Sequence, residues 1–467
     1  MKGGREAAGR GRYYGRMQTL PFPHESATLM LDGPAGPLEV GVDLPDGEAA
    51  ARPIIAVICH PLSIEGGSMH NKVVTMVSRA LRDLGITTVR FTFRSVGASA
   101  GTYDNGEGEA DDLRAVVDAS IKPLMQQQSI PGLVVGIVKD GKTQYFNYGV
   151  ASKDARQPVS ENTLFEIGSV SKTFTATLAG YAVASGKLTL SDPASQYLPA
   201  LRNSKFDHIS VLNLGTYTPG GLPLQFPREA DNNQHMISYF QQWKPDFAPG
   251  TQRLYSNPSL GLFGYLAAQS LKQPFDQVME KTLLPKLGLK HTFVKVPDSQ
   301  MNLYAQGYGK DGKPVRVGPG AMDSEAYGIK TSAADLLHYV SVNINPASLE
   351  KPLQQAIATT HTGYYNVNGM TQGLGWEMYP YPIKLDALLD GNSTKMAMEP
   401  NPVNWLTPPQ APHADTLLNK TGSTSGFGTY VAYVPSKAMG VVILANKNYP
   451  IAERVKVAHA ILSAMDH

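Results

Sequence analysis

Apolar and polar residues follow different rhythms along this chain, and the rhythm changes near residue 112. In the front part, residues 27–30 and 38–42 read as short strands. Ile54-Ile55-Ala56-Val57-Ile58-Cys59 is a continuous apolar run of the kind that forms a strand buried on both faces. Residues 71–84 have helical spacing, with Val73, Val77, Ala80, Leu81 and Leu84 on one face and Gly85 ending the run. A strand over 88–93 follows, so this part predicts an α/β unit with a right-handed parallel crossover. Residues 109–128 read as mainly helical with an interruption at Pro123.

The later part has another pattern. Residues 133–138 and 143–148 flank Asp140-Gly141, a hairpin signature. Phe174, Leu178 and Tyr181 stand at helical spacing in a mostly apolar run that closes at Ser185-Gly186. Residues 430–434 and 441–444 are strands, and Ile451, Val455, Ala458, Ile461 and Leu462 mark a closing amphipathic helix. A late antiparallel sheet flanked by an early and a terminal helix makes an α+β fold.

Composition changes this picture little. The 467 residues are 42% hydrophobic and 17% charged with a formal net charge of +2, which gives no reason to expect nucleic acid or an acidic membrane as partner. The single cysteine, Cys59, excludes a disulfide within the chain. No window approaches the roughly 18 uninterrupted apolar residues of a membrane span. Residues 1–16 are rich in Gly and Arg without an apolar core, so they read as a disordered leader and not as a secretory signal. As written, the chain is expected in the cytoplasm.

Candidate chemistry begins at Gly168-Ser169-Val170-Ser171-Lys172-Thr173-Phe174. Residues three apart on a helix face the same way, so Ser169 and Lys172 can meet as a nucleophile beside a base. The unpaired N–H groups of a helix start would also favour a developing oxyanion. By itself S-x-x-K is more often a capping serine and a solvated lysine. Farther on, Tyr255-Ser256-Asn257-Pro258 places Tyr255 and Asn257 on one side of an extended segment, although Asn257 also reads as an N-cap before Pro258. Near the end, Lys420-Thr421-Gly422-Ser423 sets a cation and a hydroxyl on a strand where a carboxylate could bind, with a glycine that admits close approach.

In this order S-x-x-K, Y-x-N and K-T-G resemble the motif set of serine β-lactamases and penicillin-binding proteins. From about Asp112 to the C-terminus the chain is similar to class C β-lactamases, also at Gly220 to Pro227, at Tyr255 to Gly264 and at Ala445-Asn446-Lys447-Asn448-Tyr449-Pro450. The resemblance implies an antiparallel sheet flanked by N- and C-terminal helices plus an all-helical subdomain. It implies that Ser169 is acylated by a β-lactam such as a cephalosporin or penicillin, and that Lys172 and Tyr255 are the two candidate bases. Tyr255 is assigned the general acid/base role, including activation of the deacylating water, and Lys172 the tuning role. The backbone N–H groups of Ser169 and Ser423 would form the oxyanion hole. Gln225 and Asn257 would hold the substrate's amide side chain, Tyr327 would line its pocket, and Lys420, Thr421, Gly422 and Asn448 would meet its carboxylate. No metal or cofactor is implied, and the histidines show no ligand spacing. An esterase or D-Ala-D-Ala peptidase on the same site, or a penicillin-binding receptor that stays acylated, are the alternatives. The family would be expected in the periplasm.

Residues 17–111 resemble the front of an α/β-hydrolase, at Cys59-His60-Pro61 and at Arg94 to Gly101, where Gly97-Ala98-Ser99-Ala100-Gly101 formally fits G-x-S-x-G. A nucleophile elbow turns straight from strand to helix, whereas residues 102–108 are a polar loop, so Ser99 is not read as a nucleophile. The likeness stops before any acid or histidine partner. The expected organisation is therefore a leader over 1–16, a truncated hydrolase-like segment over 17–111, and a β-lactamase-like domain over 112–467. Truncation would leave the strand over 54–59 as an apolar edge, expected to be covered by a second copy or a loop, or to be poorly ordered.

Overall fold

The computed structural model describes residues 25–45, 55–60, 66–103 and 125–466, with the isolated positions 23, 108, 111 and 122. The chain divides into two compact units, Met1–Ser120 and Ile121–His467. The expected leader over 1–16 and most of the expected helix over 109–128 lie outside the described residues.

In the first unit, strands β1 (Ala27–Gly33), β2 (Gly36–Asp43), β3 (Ile55–Ile58) and β4 (Thr87–Phe91) form a sheet in the order β1-β2-β4-β3. β3 and β4 are parallel and the other pairs antiparallel. Helix α1 (Lys72–Asp83) connects the parallel pair, as the alternation of strand and helix predicts. Two expectations are corrected. β3 alternates, with Ala56 and Ile58 buried but Ile55 and Val57 half-buried, because among the described strands it stands at the edge of the sheet. On α1 the buried residues are Val74 and Ser78, while Val73 is 61% and Met76 58% exposed. A polar pair turns the helix this way: Ser78 Oγ donates to Asp43 Oδ2 at 2.8 Å, and Arg90 grips the same carboxylate through Nε at 2.6 Å and Nη2 at 2.9 Å. A buried carboxylate must be hydrogen-bonded, and that requirement outweighs the burial of one or two apolar side chains. Ser99 is buried in a loop, donates to the Thr92 carbonyl at 2.5 Å and accepts from the Glu39 amide at 2.8 Å. Both bonds are those of a structural hydroxyl.

The second unit is built on a ten-stranded antiparallel sheet. Its strands are β5 (Gly132–Lys139), β6 (Lys142–Ser152), β7 (Gln157–Pro158), β10 (Gly363–Val367), β11 (Met370–Gln372), β12 (Glu377–Pro380), β13 (Asn404–Gln410), β14 (Thr416–Ser423), β15 (Gly428–Val434) and β16 (Met439–Ala445), where β8 (Leu164–Glu166) and β9 (Gln252–Arg253) belong to smaller sheets. The order is β13-β10-β11-β12-β14-β15-β16-β5-β6-β7, so the last strands pair with the first of the unit through β16 and β5. The β5–β6 turn has Asp140 at φ 51° and Gly141 at φ 77°, the left-handed pair that a D-G hairpin turn requires.

Helices cover both faces. Helix α5 (Ala333–Ile344) packs on β5 and β16, and Leu336, Leu337 and Val340 join Val442 and Leu444 in the main core. The closing helix α7 (Ile451–Met465) packs on β15 and β16. Helix α2 (Ser171–Ala184) lies against α3 (Asn257–Ser270) and α6 (Lys351–His361). α2 is buried on nearly every side, which fixes its N-terminal end as rigidly as any part of the molecule.

Candidate active site

Ser169 sits in a single 3₁₀ turn, Gly168–Val170, immediately ahead of α2, and Lys172 is the second residue of the helix proper. The i, i+3 spacing brings them together: Lys172 Nζ is 2.9 Å from Ser169 Oγ. The lysine is fully buried and also donates to Asn257 Oδ1 at 2.6 Å and to the carbonyl of Ala326 at 2.7 Å. Three acceptors satisfy an ammonium. They also suit a neutral amine, whose two N–H groups would stay on Asn257 and Ala326 while its lone pair faced the serine.

Asn257 is free for this because it is not the cap of its helix. Ser256 caps α3, accepting from the Ser259 amide at 3.0 Å, and Asn257 is the first helical residue. The Asn257 amide in turn donates to the Leu224 carbonyl at 3.0 Å, which ties the exposed Gln225 loop to the start of α3. Tyr327 ends the short helix α4 (Asp323–Ala326), half-buried and one residue beyond the carbonyl that holds Lys172.

Tyr255 lies between β9 and α3, with Lys172 Nζ 5.2 Å and Lys420 Nζ 5.1 Å from its ring centroid. Burial pushes the phenol up, but the two ammonium groups and the nearby Ser169 hydroxyl outweigh it and hold Tyr255 down at about 8. Its hydroxyl is buried and completes no hydrogen bond of ordinary geometry. Ser169 thus biases the phenol electrostatically without being locked to it. Lys172 is likewise lowered to about 8, first by burial and then by Lys420, against the pull of Tyr255. Two groups so close titrate as a pair and not independently.

β14 brings Lys420, Thr421 and Gly422 along the opposite side and ends at the exposed Ser423. The contact between this strand end and the serine turn is a close backbone approach. A Cβ at Gly168, where φ is +50°, would lie 2.5 Å from the Ser423 nitrogen, and one at Gly422 would lie 1.9 Å from the Ile167 carbonyl oxygen. Only glycine at both positions lets the Ser423 backbone lie against Gly168, the residue before Ser169.

Arg454 was not among the residues expected here. It is fully buried in α7, donating through Nη1 to the Gly422 carbonyl at 2.7 Å and Ser423 Oγ at 2.9 Å, and through Nη2 to Asn448 Oδ1 at 2.7 Å and to the Tyr449 carbonyl. It therefore joins Asn448 to the strand end. Burial lowers its guanidinium to about 10, which leaves it cationic at neutral pH. A signal existed: position 454 falls on the helical face of Ile451, Val455 and Ala458, where a cation is out of place.

All of the expected residues except Gln225, Tyr327 and Thr421 are thereby linked through named contacts around Ser169, and those three stand next to linked residues. A hydroxyl beside two groups with shifted proton affinity, a strand-end amide close to the serine turn and a cation could together serve acyl transfer. Among the described residues, no group of three or more His, Cys, Asp or Glu is placed to hold a metal, and no helix is long and apolar enough to cross a membrane.

Known proteins resemble this chain over most of its length. The β-lactamase family model matches residues 117–466. A β-lactamase of Pseudomonas fluorescens is 78% identical over 357 residues, 76% of this chain and 100% of the relative's length. A solved class C β-lactamase in complex with cefoxitin superposes with a TM-score of 0.73 at 50% identity, covering 75% of this chain and 98% of that one. A β-lactamase/D-alanine carboxypeptidase from Pseudomonas syringae gives a TM-score of 0.73 at 48% identity, with 75% and 98% covered. The chain belongs to the β-lactamase family.

Proposed function

We propose that the chain is a serine β-lactamase of class C that opens cephalosporins and penicillins and so confers resistance to them. The observation that carries this reading is Lys172 Nζ held 2.9 Å from Ser169 Oγ with Tyr255 between two lysines. The Ser169 oxygen attacks the strained carbonyl and its proton passes to the Tyr255–Lys172 pair. The amides of Ser169 and Ser423 stabilise the oxyanion, and the C–N bond breaks as the pair returns the proton to the ring nitrogen. Water activated by Tyr255 then cleaves the ester and regenerates the serine. Asn257 and Gln225 hold the acyl side chain, with Tyr327 beside it, and Lys420, Thr421 and Asn448 hold the carboxylate.

A second reading, D-alanine carboxypeptidase on the same residues, is favoured by the name of the P. syringae neighbour. Nitrocefin, p-nitrophenyl butyrate and a D-Ala-D-Ala peptide assayed side by side separate the readings, with nitrocefin expected to be turned over fastest. Lys420→Ala should lower the nitrocefin-to-butyrate ratio of kcat/KM by about 10- to 100-fold, since a charged hydrogen bond to carboxylate contributes about 1.5–3 kcal/mol. An unchanged ratio would mean that Lys420 does not meet the carboxylate.

The first unit is read as a truncated hydrolase-like segment with no part in this chemistry. A chain lacking residues 1–110 is expected to keep kcat/KM within about twofold, because the P. fluorescens relative matches over its whole length without those residues' counterpart. A loss beyond tenfold on the folded, truncated chain would assign the front unit a role. The family is typically periplasmic or secreted, so a periplasmic place of action is our proposal for this chain, against the cytoplasmic one expected from residues 1–16.

A further inference from the structure

Beneath Tyr255 lies a buried ion pair that the chemistry above does not use. Arg253, two residues before Tyr255, donates through Nη2 to Glu377 Oε1 at 2.9 Å, with the two side chains only 1% and 6% exposed. Its other nitrogens are fixed as well, Nε to Gln372 Oε1 at 2.9 Å and Nη1 to the Met396 carbonyl at 2.8 Å. The guanidinium carbon is 5.3 Å from the Tyr217 ring centroid and 5.8 Å from that of Tyr255. Glu377 lies opposite Asn419 in the β12–β14 register, and the Asn419 side chain donates through Nδ2 to the Glu377 carbonyl at 2.9 Å. The pair thus bridges the segment that carries Tyr255 and the strand that carries Lys420.

We infer that Arg253 and Glu377 are positioning residues for the proton chemistry, holding Tyr255 at a fixed distance from Lys420 and balancing the charge around its ring. This rests on the reading of Tyr255 as the proton carrier. Buried ion pairs seldom stabilise a fold more than apolar side chains of the same size would, so the placement of this one asks for another reason. The groups facing Tyr255 supply it. Three cations surround the ring: Lys172 from α2, Lys420 from β14 and Arg253 from its own strand. Ser169 and the Tyr217 phenol also face it, and burial keeps Tyr217 well above the usual range and therefore uncharged. The carboxylate opposing the cations is Glu377, whose charge raises both Tyr255 and Lys172. Around Glu377 stand Arg253 and the phenols of Tyr365, Tyr379 and Tyr430, all pushed up by burial and uncharged. Without Glu377 the cations would over-stabilise the phenolate, making it a weaker base at working pH.

The test is the pH profile of kcat/KM for nitrocefin in Glu377→Gln, Arg253→Gln and the double variant. Removing the anion should lower the midpoint of the rising limb by about one pH unit, and removing the cation should raise it by about as much. In the double variant the two losses cancel, and the midpoint should return to within about 0.3 units of wild type. A structural role alone would lower activity in all three without moving the midpoint in opposite directions, and that pattern would overturn the inference. If a single variant leaves an unpaired charge and does not fold, Arg253→Lys and the double variant decide. Both should keep the wild-type midpoint while kcat falls, and a moved midpoint in either one counts against the pair as a balance. Tyr255→Phe run alongside separates the two levels. Wild-type turnover there refutes Tyr255 as proton carrier, whereas a strong loss with an unmoved Glu377→Gln midpoint refutes only the inference.

Discussion

Ser169→Ala is expected to lower kcat for nitrocefin by about four orders of magnitude or more, the scale seen when a nucleophile is removed from an assembled site. The expectation follows from how few alternatives the site offers. Lys172 would keep its bonds to Asn257 and to the Ala326 carbonyl, so the ammonium would stay satisfied and the pocket intact. What disappears is the hydroxyl oxygen that stands 2.9 Å from that lysine, just ahead of α2. The fold should hardly notice: Ser169 is only half-buried, and the change should alter stability by about 1 kcal/mol or less. Unchanged melting, lost turnover and no acyl adduct by mass spectrometry are therefore expected together. Retained turnover, or an adduct on another serine such as the exposed Ser423, would remove Ser169 from its role.

Much of this site is legible in the sequence because its key pairs are local. Ser169 and Lys172 are three residues apart and Tyr255 and Asn257 two, so helix and strand geometry alone put them on common faces. Where local chemistry offered two solutions, the sequence left the choice open. Ser256 and Asn257 can each cap a helix that has proline at its start, and the cap falls to Ser256 because Asn257 is drawn to the buried Lys172. The contributions of Ala326 and Gly422 are carbonyl oxygens, which leave no mark on side-chain pattern. In the front unit the apolar stripe of α1 misled for a different reason. Asp43 and Arg90 come from strands distant in sequence, and their demand for Ser78 sets the rotation of the helix.

Fold topology was readable where strands and helices were long, and unreadable at the ends where elements meet. Ser169 falls in a 3₁₀ turn and not within α2 itself. The cause is Gly168 at φ +50°, pressed against the end of β14. That contact is between residues some 250 positions apart by the numbering, from Gly168 to Ser423, and no periodicity announces it.

Gly422→Ala tests that contact and should have the second-largest effect. The added methyl would lie 1.9 Å from the Ile167 carbonyl oxygen and 3.0 Å from the Val170 nitrogen, both rigid backbone atoms, so β14 must shift away from the serine turn. Asn419 and Lys420 are held in register with Ala432 and Val431, and the displacement will therefore concentrate at the strand end. There it carries the Ser423 amide away from the developing oxyanion. Loss of one donor of such a pair costs about 10²–10³ in kcat. Acylation and deacylation both pass through an oxyanion, so both should slow, and KM should change less than kcat because the Lys420 ammonium stays near its place. Arg454 supplies a control, since its bond to the Gly422 carbonyl at 2.7 Å resists the same shift from the other side. An activity within about threefold of wild type in a folded Gly422→Ala enzyme would show that the Ser423 amide does not serve the oxyanion, whatever Ser169 does.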